Sequence, residues 1–271
     1  MTLRNFLLAW HIATRQNPRM AVALEQAIRG KDDLAPFQEE LKKRLTDQYS
    51  QQLIAAKHVP FMTYVDAPYP PRLREISQPP LVLFYRGQLG LLNQLTLGIV
   101  GSRRATGYSA TALAQLLPQL PSMVIASGLA AGADAMAHEA ALSARLPTIA
   151  VIANGLDQVY PAKNRDLQVQ IAHVGLVLSE YPPATGPQRF QFVARNRIIA
   201  GIAHGVMVTE AEMKSGSLIT ANYALQHNRE VFALPNRIDA PLGAGTNALI
   251  QAGAALVTGP ETLVENLNFY P

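Results

Sequence analysis

From Leu97 onward, short apolar runs alternate with helix-length segments, and this alternation constrains the fold of the 271-residue chain more than any other feature. The runs are almost continuously apolar, which is typical of strands buried on both faces. Strands that alternate with helices predict a mostly parallel sheet covered by helices, the Rossmann-like class of α/β fold. The predicted strands are 97–100, 123–126, 148–153, 176–178, 206–208 and 231–234, and the predicted helices are about 107–117, 132–144, 163–173, 190–203 and 216–228.

Residues 1–60 are predicted to form a small helical domain. Apolar residues recur at helical spacing from Leu3 to Trp10 and from Met20 to Ile28. Gly30 is a typical residue at the end of a helix, and a further helical stretch is predicted at 38–58.

Residues 61–95 are rich in proline and are predicted to form a junction between two domains. Two short apolar runs within it, Phe61–Val65 and Leu81–Tyr85, indicate short strands between turns. The Rossmann-like domain is therefore expected to cover residues 96–271.

The composition excludes several classes of protein. With 49% hydrophobic and 15% charged residues, the chain is expected to fold around a sizeable core. The absence of cysteine excludes a disulfide framework, cysteine-based zinc sites and thiol catalysis. Arg4 interrupts the N-terminal apolar run and no run reaches about 18 residues, so we expect a cytoplasmic protein without a signal peptide or membrane span. The net charge of +4 permits a polyanionic partner but does not identify one.

The loop Gly101-Ser102-Arg103 joins the first strand of the alternating region to a helix that begins near Gly107. Free N–H groups at a helix start attract phosphate, and an arginine can bind two phosphate oxygens at once. A tight turn with exposed arginines explains the same residues. The loop alone therefore leaves phosphate binding and a purely structural turn equally open.

Similar loops follow the later strands, and all of them are expected to face one crevice because parallel strands end at the same edge of a sheet. Asp134 begins one of these helices and is expected to cap it rather than to bind a ligand. The further candidates for binding an anion in these loops are Lys163, Lys214, Ser215 and Gly216. For Lys163 taken alone, a solvated lysine is the simpler interpretation.

The segment from Phe190 to Gly201 combines aromatic residues with arginines on one predicted helix. Phe192 shares a helical face with Arg195 and Asn196, and Arg197 follows directly. Rings that stack on bases and guanidinium groups that hold phosphates suit single-stranded nucleic acid. The alternative is a buried helix whose polar residues bond within the protein.

Catalytic patterns are missing from the sequence. The six histidines are scattered, the acidic residues do not cluster as metal ligands, and no nucleophile lies beside a base in a known motif. We therefore expect no catalytic residue, no metal site and no cofactor.

Taken in order, these motifs resemble those of the DNA-processing protein A family, also called DprA or Smf. The matching segments are 101–108, 127–134, 160–164, 192–201, 215–221 and 245–247, and the resemblance covers roughly residues 60–260. It implies an extended Rossmann domain, preceded by a helical domain similar to sterile-alpha-motif (SAM) modules. It also implies a non-enzymatic protein, commonly a homodimer, that binds single-stranded DNA, protects incoming DNA in natural transformation and loads the RecA recombinase onto it.

The resemblance further implies which residues meet DNA. By position in the motifs, the side chains would be Arg103, Lys163, Arg195, Asn196 and Arg197, and the backbone contributors would be Ser102, Gly128, Ser215 and Gly216. Ala133 departs from the family pattern, in which isoleucine is more usual before the aspartate. Many members also carry a C-terminal winged-helix domain, which we expect this chain to lack.

Two other functions use the same phosphate loops. An enzyme of the phosphoribohydrolase type would carry a Gly-Gly-x-Gly-Thr loop and a catalytic glutamate, whereas the comparable region here reads Lys214-Ser215-Gly216-Ser217-Leu218. A dinucleotide-dependent oxidoreductase would need spaced glycines and an acidic residue about 20 positions further on, which this sequence lacks.

Overall fold

The N-terminal part of the chain is helical, as its periodicity predicts. A computed structural model describes residues 1–267, and it begins with α1 (Leu3–Ala13), α2 (Pro18–Gly30), α3 (Ala35–Arg44) and α4 (Asp47–Lys57). Gly30 ends α2 as predicted. The stretch predicted at 38–58 is divided into two helices, because Thr46 has an extended backbone and Asp47 starts a new helix with a carboxylate that favours its N-terminus.

Nine strands form a single sheet within residues 1–267. They are β1 (Phe61–Thr63), β2 (Val82–Gly87), β3 (Thr96–Val100), β4 (Val124–Ser127), β5 (Thr148–Ile152), β6 (Leu176–Ser179), β7 (Gly205–Val208), β8 (Glu230–Ala233) and β9 (Ala255–Leu256). Their order is β1-β2-β6-β5-β4-β3-β7-β8-β9. The strands from β6 to β9 in this order are parallel, and β1 and β2 add an antiparallel edge.

Helices lie between the parallel strands, so the predicted α/β class is confirmed. The remaining helices are α5 (Pro71–Arg74), α6 (Gly107–Leu116), α7 (Ala133–Ser143), α8 (Arg165–Val174), α9 (Arg189–Ile202), α10 (Gly216–Gln226), α11 (Ala244–Gln251) and α12 (Pro260–Leu267). Each strand and helix predicted after Leu97 is present to within two residues at either end. No helix in residues 1–267 is long and apolar enough to cross a membrane.

The proline-rich stretch supplies the antiparallel edge of the sheet. Phe84 of β2 lies opposite Phe61 on one side and Ser179 of β6 on the other. One buried apolar cluster runs from Trp10 of α1 through Phe84 to Ile198 of α9, so the helical part and the sheet share a core. The division of the chain at residues 60 and 95 stays a prediction, and residues 268–271 of the predicted domain 96–271 lie outside the described residues.

The strand order reverses beside β3. The chain builds outward from β3 through β4, β5 and β6, then crosses back to place β7 on the other side of β3. In open α/β sheets, ligands bind beyond the carboxyl ends of the strands at such a switch point. The loops after β3 and β7 are therefore the place to look for a site.

Candidate nucleic-acid interface

A cleft of about 610 Å³ lies at this switch point. Its walls come from the loop after β3, the loop after β7 with the start of α10, and one face of α9. The predicted site residues that line it are Ser102, Arg103, Phe192, Arg195, Asn196, Ser215 and Gly216. The lining also contains Tyr160, Arg189, Arg104 and Glu212, which the sequence analysis did not select.

The loop after β3 is held rigidly, with Arg103 exposed at its tip. A side chain at Gly101 would place a Cβ atom 2.6 Å from the Ala133 Cβ and from the Thr209 hydroxyl, so the loop can pack here only with glycine. The Ser102 N–H donates to the Glu210 carbonyl at 2.7 Å, and the Ser102 carbonyl accepts from the Ala133 N–H at 3.1 Å. These bonds join the loop after β3 to the loops after β4 and β7.

The start of α6 already holds an internal carboxylate. Glu210 is 2% exposed, and its carboxylate accepts from the Thr106 N–H at 2.8 Å, the Thr106 hydroxyl at 2.9 Å and the Ser109 hydroxyl at 2.7 Å. The Thr106 hydroxyl in turn accepts from the Tyr108 N–H. Glu210 therefore bonds to Thr106, the residue before α6, and to a side chain of the first turn, and phosphate binding near Gly107 stays a prediction.

Tyr160 and Phe192 form an aromatic platform on the wall of the cleft. Their ring centroids are 5.3 Å apart, and the Arg103 guanidinium carbon lies over the Phe192 ring at 4.7 Å from its centroid. This distance is that of a cation–π contact, and the guanidinium group also carries five N–H donors. Among residues 1–267, no side chain or carbonyl accepts a hydrogen bond from these donors. The platform and Arg103 together present stacking surfaces beside a cation.

Arg195 borders the cleft, but its guanidinium group is hydrogen-bonded to acceptors within the protein. It is 4% exposed, and its guanidinium donates to the carbonyls of Gly128 and Val151 and, at 3.1 Å, to the Asn196 side-chain oxygen. The Asp134 carboxylate lies 4.0 Å away. A Cβ atom at Gly128 would overlap this guanidinium, which explains the glycine. Arg195 thus ties α9 to the ends of β4 and β5.

The Asp134 carboxylate bonds within the protein and also borders the cleft. Its carboxylate accepts from the Ala130 N–H at 3.3 Å and closes the turn before α7, while one side of it borders the cleft. Burial raises the pKa of Asp134, and Arg195 and the Ala130 N–H act in the opposite direction. The expected capping role is therefore wrong, because Gly132 is the N-cap of α7 and the Asp134 carboxylate bonds to an N–H that lies before the helix.

Arg197 points away from the cleft. Its guanidinium makes a two-pronged ion pair with Glu180 at 2.6 and 2.8 Å and donates to the carbonyls of Gln78 and Ala194. Its direction follows from the helix, since adjacent residues of an α-helix diverge by about 100°. Asn196, by contrast, faces the cleft and donates to the Gly216 carbonyl at 3.2 Å.

The start of α10 borders the cleft opposite α9. The Ser215 and Ser217 hydroxyls bond to each other at 2.7 Å, and the structure gives Ser215 no capping bond to the helix backbone. Gly216 is exposed between them. The partial positive charge of this helix start thus faces the same space as Arg103. Lys214, directly before it, is exposed and stands outside the lining.

Lys163 is exposed in a short 3-10 turn at Ala162–Asn164, outside the lining of the cleft. Its neighbour Asn164 is buried and donates to the Leu129 carbonyl at 2.9 Å, which fastens this loop to the loop after β4. Lys163 therefore stands beside the cleft on an anchored loop. The predicted contact of Lys163 with DNA stays a prediction, as do those of the other selected residues.

Two of the additional lining residues, Arg189 and Tyr160, lie in sequence segments that were already candidates for binding nucleic acid. Arg189 is an exposed arginine of the aromatic and basic helix, one turn before Phe192. Tyr160 begins the family-like segment 160–164, but its pairing with Phe192 joins residues 32 positions apart. Arg104 pairs with Glu212 across the mouth of the cleft. In the part of the chain that is described, no three histidine, aspartate or glutamate side chains converge as metal ligands.

The fold and the cleft define a doubly wound α/β protein whose site lies at the switch point and is built from loops, cations and an aromatic platform. Comparison with known proteins identifies the group within this class. The model of the family described as DNA recombination-mediator protein A matches residues 60–268. The chain belongs to this family, as its motifs indicated.

The similar proteins agree with this assignment. The DNA processing protein DprA of Streptococcus pneumoniae is 46% identical over 211 residues, which cover 78% of this chain and 75% of that protein. The protein Smf of Synechocystis is 41% identical over 254 residues, covering 92% of this chain and 61% of that protein. The X-ray structure of the Streptococcus pneumoniae protein has a TM-score of 0.88 at 38% identity and covers 98% of each chain.

A second solved structure concerns DNA binding directly. It is the DNA processing protein A of Helicobacter pylori, and its description refers to a single-stranded DNA binding mode. The TM-score is 0.70 at 32% identity, with 78% of this chain and 97% of that chain covered.

Proposed function

We propose that the protein is a single-stranded DNA-binding protein of the cytoplasm that protects incoming DNA during natural transformation and loads RecA recombinase onto it. The observation that carries this proposal is Arg103 over the Phe192 ring, at the mouth of a cleft that also receives the start of α10. Bases stack on such rings, and a neighbouring guanidinium and helix start hold the phosphates between them.

The arrangement favours a chain of nucleotides over a single nucleotide cofactor. The residue before α6, Thr106, bonds to Glu210, so a carboxylate already lies beside the helix start that would hold a cofactor phosphate. The exposed cations Arg103, Lys163 and Lys214 are instead spread over three loops. Spread cations suit successive backbone phosphates, because each one meets a different phosphate.

In this proposal the buried arginines support the site rather than touch DNA. Arg195 holds α9 in place through the Gly128 and Val151 carbonyls, and Arg197 does so through Glu180. The contacts with DNA come from Arg103, Phe192, Tyr160, Arg189 and the start of α10.

A salt titration of oligonucleotide binding tests the proposal. Affinity for a labelled single strand should fall linearly in a plot of log K against log salt, and unlabelled duplex should compete poorly. Arg103→Ala and Lys163→Ala should weaken binding to all sequences alike and each reduce the slope by about 0.7. Lys43→Ala, which removes an exposed cation from α3, is the matched control and should leave the slope unchanged. Affinity that is insensitive to salt would refute the proposal.

We also propose that the protein breaks no bond in its ligand. The alternative of a phosphoribohydrolase-type enzyme needs an unpaired catalytic carboxylate facing the cleft. Glu210 is directed into the protein by three hydrogen bonds, and of the carboxylates that border the cleft, Glu212 is paired with Arg104 and Asp134 is buried beside Arg195. Incubation with nucleoside monophosphates should release no free base, and release would favour the enzyme.

Loading of RecA and dimerisation are proposed on the strength of the family. With a cognate recombinase, the protein should accelerate the onset of DNA-dependent ATP hydrolysis on strands covered by single-strand-binding protein. Light scattering after gel filtration should give twice the mass of one chain. A monomer that still loads RecA would remove the dimer from the proposal.

A further inference from the structure

A second cleft, of about 740 Å³, lies between the N-terminal helices and α9. It is formed by the turn between α1 and α2, the segment after β6 and the face of α9 opposite the first cleft. Its volume falls within the range of about 300–1,000 Å³ that is usual for small-molecule sites.

The two clefts share α9 as a common wall. Phe190, Val193, Ala194 and Arg197 line the second cleft, and their spacing places them on one face of the helix. Val193 lines both clefts. A DNA strand that leaves the first cleft therefore has to pass only Phe190 and Val193 to reach the second cleft.

The floor of the second cleft is polar but has its charge compensated. Arg197 and Glu180 form their two-pronged pair there, and their side chains are only 11% and 10% exposed. Two further guanidinium N–H groups donate to the Gln78 and Ala194 carbonyls. A phosphate would gain little from an arginine that is already paired, whereas a neutral, flat heterocycle does not need a free charge.

The walls of the second cleft suit such a heterocycle. Phe190 is 63% exposed at the rim, although large aromatic residues are usually at least half buried. Pro18, Val22 and Tyr223 contribute further apolar surface. Gln16 and other side chains with both donors and acceptors lie among them. Stacking surface combined with a few polar groups is the chemistry that recognises a nucleobase.

The turn between α1 and α2 provides a preformed wall. Arg15 and Gln16 both have left-handed backbone conformations, with φ of 52° and 56°. Adjacent non-glycine residues in this region are uncommon and persist where the surroundings enforce them. Here the Gln16 amide donates to the His11 carbonyl, and the Arg15 guanidinium donates to the Tyr49 hydroxyl at 2.6 Å.

We propose that the second cleft is a nucleobase subsite, which receives a base of the same single strand after it crosses α9, with Phe190 as the stacking surface. This inference rests on the proposed function, because the strand must first occupy the cleft at Arg103. It assigns the N-terminal helices a part in DNA binding, since their turn forms one wall of the subsite.

Binding of oligothymidylates of increasing length, from roughly 4 to 16 nucleotides, to the full chain tests this inference. The wild-type affinity should rise in a step once the strand is long enough to reach the second cleft. Phe190→Ala should weaken binding of strands beyond that length about 5- to 150-fold, corresponding to about 1–3 kcal/mol for one stacked base. It should leave the affinity for shorter strands unchanged. Phe190→Trp should restore the step.

Two controls separate the subsite from the first cleft. Arg103→Ala should weaken binding at every length, and Ile238→Ala, which trims a fully exposed apolar side chain elsewhere, should have no effect at any length. Long strands whose distal bases are replaced by abasic sites should behave like short ones, because the subsite reads the base and not the phosphate.

The outcomes distinguish the two proposals. If the wild type binds strands but Phe190→Ala gives the same length dependence, or weakens every length equally, the subsite is refuted and the proposed function stands. If abasic strands keep the step, the second cleft binds the backbone and the inference is also wrong. If the wild type binds no strand, both proposals fail.

Discussion

Replacing Arg195 with methionine should destabilise the protein rather than merely remove a DNA contact. The side chain is 4% exposed and donates to the Gly128 and Val151 carbonyls and to Asn196. Methionine fills much of the same volume but leaves the Asp134 carboxylate, 6% exposed, without its neighbouring cation. Removing one partner of a buried ion pair costs about 3–5 kcal/mol. The distance of 4.0 Å is long for a direct pair, so we expect a loss near 3 kcal/mol.

The loss should depend on pH in a defined direction. Burial raises the pKa of Asp134, and the Arg195 charge partly opposes that shift. Without Arg195, the pKa of Asp134 should rise further, and the ionised carboxylate becomes the destabilising species. A group whose folded pKa lies above its unfolded value stabilises the fold below the unfolded pKa and loses that contribution as pH rises through the folded pKa. The difference between variant and wild type should therefore shrink as the pH is lowered.

Urea unfolding followed by circular dichroism at several pH values measures this difference. Arg189→Met is the matched control, because it makes the same change at an exposed position of α9 that lines the cleft. That variant should keep its stability and lose affinity for single strands. Arg195→Met combined with Asp134→Asn should recover part of the stability. An Arg195→Met protein as stable as the wild type, but unable to bind DNA, would refute the structural role assigned to Arg195.

Three further predictions follow from buried polar groups. Burial lowers the pKa of His138 to about 3, so the unfolded chain takes up a proton that the folded chain refuses as pH falls from about 6.5 towards 3. The free energy of unfolding should decrease by roughly 3 kcal/mol at pH 4.5 relative to pH 7. Urea titrations should show a smaller decrease for His138→Asn. An equal decrease in both proteins would assign the effect to other groups. Glu210→Gln should lower the free energy of unfolding by about 1–3 kcal/mol, because it removes the charge that bonds to Thr106 and Ser109 at the start of α6. Thr106→Ala should lower it by about 1 kcal/mol. Equal losses in thermal unfolding would contradict a role for the Glu210 charge. Gly128→Ala should cost about 1–3 kcal/mol, because the added methyl overlaps the Arg195 guanidinium, and an unchanged urea midpoint would show that the guanidinium moves freely.

The alternating strands and helices were predictable because their signals are local. A run such as 97–100 is apolar throughout, and the small residues after it mark a turn, so β3 and α6 are found close to their predicted limits. The break between α3 and α4 was not predicted. Leu45 and Thr46 fit a helical pattern well enough, and only the packing of both helices against α1 selects the bend.

The candidate site was predictable as a set of loops but not as a set of contacts. The switch point follows from the strand order, which depends on pairing between strands far apart in the chain. Glu210 shows why the contacts were not predicted, because nothing in the residues around it indicates that its side chain bonds to Thr106 at the start of α6. Such a contact joins residues 104 positions apart.

What the sequence determined by itself was the class of fold, the order of the loops and the kinds of residue at the carboxyl edge of the sheet, because periodicity and turn chemistry act over a few residues. Only the tertiary structure decided what each side chain does. Arg195, Asn196 and Arg197 are consecutive and similar in polarity, yet one is buried against two carbonyls, one borders the cleft and one pairs with Glu180 on the far face of α9. The physical reason is that an α-helix turns by about 100° per residue, so the neighbours in space, which lie far away in sequence, determine whether a polar side chain meets solvent, another charge or the backbone.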